Sequence, residues 1–328
     1  MPLPTADLEA FDLKAPILVT GASGFVGRAL IDALVRAGRG ADVIAASRTR
    51  VDGVRHVPLS LETVGALDAL VEAVRPKTIF HLAAVALPSA AQHDPDTAWR
   101  VNCDATRWIA EALARYEPGA RFVFASSATA YGRSFAGSDV PVTEDTPLRP
   151  ATAYGATKAA AEMALQRVAA DGLSVAILRA FNHTGPGQSP RYVVASFAEQ
   201  VAALERAGGG VIEVGNLDVE RDFLHVDDVI EAYVMAAART DVPSGAFNVS
   251  TGAPVRINDL LGVLKGLSTV DIEVRQDPER MRADEMRVVS GDPAAARAAF
   301  GWRATRTIEE TLAAVLEGAR RRFDKAPR

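Results

Sequence analysis

The sequence predicts an α/β fold: a doubly wound parallel sheet with a smaller mixed unit towards the C-terminus. Three observations carry this. Short apolar runs alternate with longer segments of helical periodicity through the first half, the pattern of parallel strands joined by crossover helices. The runs are apolar throughout rather than alternating, which suits strands covered on both faces. After Arg179 the rhythm breaks into a turn-rich stretch, Asn182-His183-Thr184-Gly185-Pro186-Gly187, where a second unit should begin.

The expected strands are Ile17 to Thr20, Val43 to Ala46, Thr78 to Leu82, Phe122 to Ala125 and Val175 to Leu178. Between them, Leu30, Ile31, Leu34 and Val35, and later Leu67, Leu70, Val71 and Val74, recur at helical spacing. Thr106 to Arg115 and Thr157 to Val168 read as further helices, as does Val193 to Arg206 beyond the break. Phe223 to Val226 and Ala246 to Val249 read as short strands, and Ile308 to Arg322 as a closing helix whose Arg320, Arg321 and Arg322 suit the negative end of the helix dipole. No internal repeat or low-complexity tract interrupts this order.

At 328 residues and 48% hydrophobic content, the chain can build a large core and a second, smaller unit. A net charge of -5 argues against a broad nucleic-acid surface. The single cysteine, Cys103, excludes an intramolecular disulfide, and the five histidines show no ligand spacing, so no metal is expected. Met1 to Ala15 carries Asp7, Glu9 and Asp12 without an apolar segment of signal-peptide length. The most apolar stretch, Ile79 to Ala91, contains His81 and Pro88 and is too short to span a bilayer. A soluble, cytoplasmic protein with no membrane partner is expected. Trp99, Trp108 and Trp302 read as packing residues, and Cys103 as a small buried one.

Three motifs carry chemistry. The first strand runs into Gly21-Ala22-Ser23-Gly24-Phe25-Val26-Gly27 and then an apolar helix starting near Arg28; glycines there permit a tight turn and let backbone N-H groups approach a pyrophosphate at the positive helix end. At the end of the second strand stand Ser47 and Arg48, where an acidic residue would meet a free ribose hydroxyl. A guanidinium suits a 2'-phosphate instead, so NADP(H) is favoured over NAD(H); the plain alternative leaves Arg48 and Arg50 as solvated loop residues. Finally, of five tyrosines only Tyr154 has a lysine four residues on, Lys158. Residues so spaced share a helix face, so the ammonium should favour the phenolate and bring the phenol into a usable range. The plain alternative pairs Lys158 with Glu162.

Gly21 to Gly27, His81-Leu82-Ala83-Ala84, Asn102, Phe124-Ala125-Ser126-Ser127-Ala128-Thr129-Ala130-Tyr131, Tyr154 with Lys158, and Arg221-Asp222-Phe223-Leu224-His225-Val226-Asp227-Asp228 together resemble the extended short-chain dehydrogenase/reductase family of nucleotide-sugar enzymes. The resemblance implies a Rossmann-type domain over 13–179 plus about 223–250, and a sugar-nucleotide domain over about 180–222 and 251–328. It implies Ser127, Tyr154 and Lys158 as catalytic residues. Cofactor contacts are implied for Gly21, Ser23, Gly24, Phe25, Val26, Gly27, Ser47, Arg48, Leu61, Leu82, Ala83, Ala84, Asn102, Tyr154, Lys158 and His183, with His183 and His225 also expected to make structural hydrogen bonds. Substrate contacts are implied for Ser127, Asn182, Arg191, Val193, Arg221, Arg282 and Glu285. The segments Arg179 to Pro190, Val214 to Leu217 and Arg280 to Glu285 further resemble reductases of GDP-4-keto-6-deoxymannose, implying reduction of a C4 ketone; a 4-epimerase and a non-catalytic nucleotide sensor are the alternatives. Two departures stand out: Ser60 precedes Leu61 where the family commonly has aspartate, and Thr129 stands where the 4,6-dehydratases carry an acid, which argues against dehydration. Relatives also imply a homodimer through the helices around 106–115 and 157–168.

Overall fold

The continuous apolar runs become the inner strands of a seven-stranded sheet in a computed structural model of the chain, which describes residues 8, 11–137, 140–281 and 285–325. Its strands are β1 (Ile17–Thr20), β2 (Val43–Ser47), β3 (Arg55–Pro58), β4 (Thr78–His81), β5 (Arg121–Ser127), β6 (Ser174–Ala180) and, from much later in the chain, β11 (Gly245–Val249). They lie in the order β3-β2-β1-β4-β5-β6-β11, every pair parallel. Strand order reverses between β1 and β4, which opens a crevice at the carboxyl ends of the strands.

Helices α1 (Phe25–Arg36), α2 (Val64–Val74), α5 (Ala105–Tyr116), α6 (Ala153–Ala170) and α8 (Val226–Ala238) cover the sheet, with the short α3 (Pro88–His93) and α4 (Pro95–Trp99) packed on α6. Leu30, Ile31 and Leu34 of α1 join Val229, Ile230 and Tyr233 of α8 in one core. Leu67 and Val71 of α2, Ile109 and Leu113 of α5, and Leu165 and Val168 of α6 form the other. The apolar positions at helical spacing are thus the buried ones.

The later part of the chain builds a third core from α7 (Val193–Ala207), α9 (Ile257–Gly266) and α11 (Ile308–Lys325), packed on β8 (Gly210–Val214) and β13 (Ile272–Gln276). Two further small sheets, β7 (Asn182–Thr184) with β10 (Phe223–His225) and β9 (Glu220–Arg221) between β12 (Val255–Arg256) and β14 (Val288–Val289), complete it, with α10 (Ala294–Phe300) against β11. Asn182 to Thr184, expected as loop, is therefore a strand. Phe223 to His225 pairs with it outside the main sheet, while Leu224 between them packs into the first core.

Trp302 is buried and donates its indole N-H to the Asp228 carbonyl at 2.9 Å. Trp99, expected to pack, is 41% exposed. Cys103 is only half-buried, in a wide π-type turn over Arg100–Asp104. Arg282, Asp7 and Glu9 lie outside the described residues. No described helix is long and apolar enough to cross a membrane, and no three described His, Cys, Asp or Glu residues cluster as a metal site.

Candidate active site

A cleft of about 1750 Å³ runs along the carboxyl ends of the strands and under the C-terminal region. The turn Gly21 to Gly27 forms one wall. Gly21 holds φ +69°, and a Cβ on it would sit 2.6 Å from the Ala83 nitrogen; one on Gly27 would overlap the Gly21 carbonyl. Helix α1 opens after Gly24 with no side chain capping it, so its first N-H groups face the cleft unclaimed by a cap. A backbone cradle of this shape fits the pyrophosphate of a dinucleotide. Ser23, Phe25 and Val26 line it, with Leu82, Ala83 and Ala84 opposite.

At the end of β2, Arg48 is exposed on the cleft rim. Ser47 lines the same corner but gives its hydroxyl to the Thr49 carbonyl at 2.7 Å. Leu61 lines it too. His183 lies across the cleft, its ring stacked on Phe25 with centroids 6.5 Å apart and its Nδ1-H donated to the Phe181 carbonyl. Asn102 is the correction among the expected cofactor contacts. It is fully buried and absent from the cleft wall, accepting from Val85 N at 2.7 Å and donating to Thr157 Oγ1 at 3.0 Å. Its two polar ends are satisfied internally, so it ties the wall after Ala84 to helix α6.

The cleft floor carries the tyrosine and lysine. Thr152 caps α6 by accepting from Gly155 N at 3.1 Å, which brings Tyr154 into the first turn beside Ser127 at the end of β5. Ser127 lies near enough to the Tyr154 hydroxyl to favour its ionised form. Lys158, one turn on and 2% exposed, donates to the Ala125 carbonyl at 2.8 Å, with its ammonium 4.6 Å from the Phe124 ring centre and 5.9 Å from that of Tyr154. Burial pulls the lysine down to about 7 against the opposing pull of Glu162. Burial, then Tyr192, pushes the Tyr154 phenol above its usual value, and Ser127 only partly offsets this. The expectation that the ammonium lowers the phenol is thus corrected for the free cleft. Desolvation outweighs it, and Tyr154 is held as a protonated phenol.

Glu162 does not pair with Lys158. It is buried at the back of the helix, bound by Arg179 Nη2 at 2.7 Å and by the Ser126 hydroxyl. Arg179 also donates to the Tyr131 hydroxyl at 2.8 Å, which donates to Asn248 Oδ1 at 2.7 Å. His81 is clamped likewise, with Thr20 Oγ1 at 2.7 Å and Thr106 Oγ1 at 2.9 Å. Thr106 gives its own proton to the Asn102 carbonyl, so His81 donates from Nε2 and accepts at Nδ1. Burial, then Lys158, lowers it to about 3 and keeps it neutral.

Beyond the floor, Asn182, Arg191, Val193, Arg221 and Glu285 all line the cleft. Arg221 and Glu285, expected as separate substrate contacts, pair with each other at 3.2 Å. Two residues escaped the sequence reading. Thr129, conspicuous in the sequence only for not being acidic, bonds Ser127, a contact its Ser-x-Thr spacing offers. Tyr192, half-buried in the cleft wall, adjoins the expected Arg191 and Val193, and its own phenol is raised by burial.

Residues 17–250 match the family described as the NAD dependent epimerase/dehydratase family. The chain is 32% identical to the GDP-6-deoxy-D-mannose reductase of Pseudomonas aeruginosa, covering 92% of this chain and 95% of that protein. It is also 32% identical to a UDP-glucose 4-epimerase of Mycolicibacterium smegmatis, over 92% and 97%. Among solved structures, that of RMD from Pseudomonas aeruginosa complexed with NADPH superposes with a TM-score of 0.81 at 31% identity, covering 94% of this chain and all (100%) of that one.

Proposed function

The chain belongs to the NAD-dependent epimerase/dehydratase family of extended short-chain dehydrogenase/reductases and is a nicotinamide-dependent oxidoreductase of that type, and from that premise we propose that it reduces the C4 ketone of a 4-keto-6-deoxy sugar nucleotide with NADPH. The substrate that fits this reading is GDP-4-keto-6-deoxy-D-mannose, giving GDP-D-rhamnose. The observation that carries it is the convergence of Ser127, Tyr154 and Lys158 on the cleft floor, with burial holding the phenol protonated and Thr129 rather than an acid bonded to Ser127. A protonated phenol is a proton donor, as reduction of a ketone requires. The similarity to the reductase named above supports the substrate class, and exposed Arg48 at the end of β2 supports the 2'-phosphate cofactor.

Bound in the glycine cradle, the reduced dinucleotide supplies a hydride. The chain does the rest. The Ser127 hydroxyl donates to the substrate O4, and Tyr154 transfers its proton to the same oxygen as the alkoxide forms. Lys158, charged below about pH 7 in the free cleft, holds a ribose hydroxyl and steadies the phenolate left behind. Arg191, Asn182 and Arg221, with Arg282, bind the sugar-nucleotide diphosphate through charge-assisted hydrogen bonds. The dinucleotide unit spans 13–179 with about 223–250, and about 180–222 with 251–328 binds the sugar nucleotide. The enzyme works as a cytoplasmic homodimer.

The equal identity to a 4-epimerase favours a second reading, in which Tyr154, ionised, would take the proton of the C4 hydroxyl while a bound NAD+ would accept the C4 hydride; the hydride would then return to the opposite face of C4 and the tyrosine proton to O4. Adding freshly made GDP-4-keto-6-deoxymannose to purified protein and NADPH, with UDP and dTDP counterparts as controls, separates the two. Stoichiometric NADPH oxidation with the GDP sugar is expected. No oxidation with any ketone, but interconversion of intact UDP-hexoses, would transfer the assignment to an epimerase.

A further inference from the structure

A serine hydroxyl offers one proton and two acceptor positions. At Ser127 a single neighbour takes both acceptor positions. The Thr129 backbone N-H donates to Ser127 Oγ at 3.2 Å, and the Thr129 hydroxyl donates to it at 2.9 Å. With the oxygen filled from that side, the Ser127 proton is left to be given away, towards the Tyr154 hydroxyl and the cleft. Thr129 is itself held tightly. The Gly155 backbone lies so near the Thr129 carbonyl that a Cβ there would overlap it, and Ala128 accepts from Tyr131 N at 3.1 Å to close the turn. The turn that carries Thr129 is thereby pressed on the helix that carries Tyr154.

Resting on the proposed reaction, we infer that Thr129 is a positioning residue: its hydroxyl fixes Ser127 as a hydrogen-bond donor aimed at the substrate oxygen that receives the proton. A serine free to rotate would spend part of its time presenting a lone pair to the developing alkoxide, which repels it. A serine saturated by Thr129 presents its proton throughout, an oriented dipole of the kind that stabilises charge forming in a transition state. The effect belongs to kcat, because the ground-state ketone gains less from the same bond than the alkoxide does.

The test is a double-mutant cycle. Thr129→Val keeps the shape and the backbone N-H and removes only the hydroxyl. Its kcat for ketone reduction is expected to fall about tenfold, the effect of one ordinary hydrogen bond, with KM changed by less than about twofold. Thr129→Ser, which keeps the hydroxyl, should recover most of that loss. In a Ser127→Ala background, Thr129→Val should cost nothing further, since the group it orients is gone. An equal loss in both backgrounds, or a change confined to KM, overturns the inference and makes Thr129 an independent contact. If the parent epimerises instead of reducing, the same cycle is read on epimerisation. If the parent does neither, the proposed reaction fails, and Thr129 is tested by ultraviolet titration of the tyrosines with NADP+ bound, taken as the difference from Tyr154→Phe. Loss of the oriented Ser127 donor should move Tyr154 ionisation to higher pH in Thr129→Val; an unmoved titration overturns the inference.

Discussion

Tyr154 and Lys158 are desolvated together, and the consequences for the two groups are opposite. Burial keeps the neutral form in each case: the phenol keeps its proton and the amine gives its proton up more readily. Replacing Tyr154 with Phe removes the proton donor and leaves the cradle alone, so turnover should fall by about 10² to 10⁴ while NADPH still binds, as a fluorescence titration would report. Lys158 predicts a pH dependence. Its folded value is lowered to about 7, so the free cleft loses its ammonium as the pH rises through that value. A cofactor that needs the charge then binds more weakly above neutrality than below it. Measured NADPH affinity should decline across that window in the parent and stay level in Lys158→Met; a parent without the decline would show that the ammonium does not contact the cofactor. Arg48 poses a separate question of selectivity. If its guanidinium takes the 2'-phosphate, Arg48→Ala forfeits about 1.5 to 3 kcal/mol for NADPH, a factor of ten or more, and almost nothing for NADH. Equal losses for both would remove the assignment.

At the scale of elements, the catalytic helix α6 is pinned to the sheet by a buried ion pair. Arg179 of β6 and Glu162 of α6 are 5% and 0% exposed, with Ser126 of β5 and Tyr131 filling the remaining positions. Glu162→Gln leaves a buried guanidinium without its counter-charge, a change that costs about 3 to 5 kcal/mol. The midpoint of urea unfolding should drop accordingly; a shift of under about 1 kcal/mol would show that the pair is solvated in solution. Little of this network was legible in the sequence. The spacing of Tyr154, Lys158 and Glu162 suggests a partner for the lysine four residues on, whereas the carboxylate goes to Arg179, brought in by a strand pairing that local spacing does not encode. Inner strands were legible because burial on both faces demands unbroken apolar runs, as in Ile17 to Thr20. The edge strand Arg55 to Pro58 has exposed ends and so no such run, and Asn182 to Thr184 read as a turn because its pairing partner, Phe223 to His225, lies far along the chain. The cradle was legible because its glycines answer to local sterics. Asn102 was misplaced by one layer, into the cleft rather than behind its wall, since a motif position does not say which way an amide faces.

At the scale of the whole molecule, the cleft is walled by the carboxyl ends of the strands on one side and by α7 and the C-terminal strands on the other, so the two ligands of the proposed reaction would meet between two separately packed cores. The opposite question is what covers the outer face of α5 and α6. These helices lie side by side, and Met163 on α6 is 68% exposed, with Trp99 of the adjoining α4 at 41%. An exposed methionine on α6, an exposed tryptophan on α4 and a half-buried Trp108 on α5 suit burial against the same face of a second copy, making the proposed four-helix interface about a two-fold axis. A stable interface of this kind covers about 800 Å² per partner, and a charge at its centre would have to be desolvated twice, once in each copy. Met163→Lys is therefore expected to sediment as a monomer where the parent sediments as a dimer. Met163 lies more than two turns along α6 from Tyr154 and outside the cleft wall, so the monomeric variant should still bind NADPH with nearly the parent affinity. A parent that is monomeric at micromolar concentration would end the four-helix assignment, and a monomeric variant that also lost the cofactor would mean that the interface braces the helix carrying Tyr154 and Lys158.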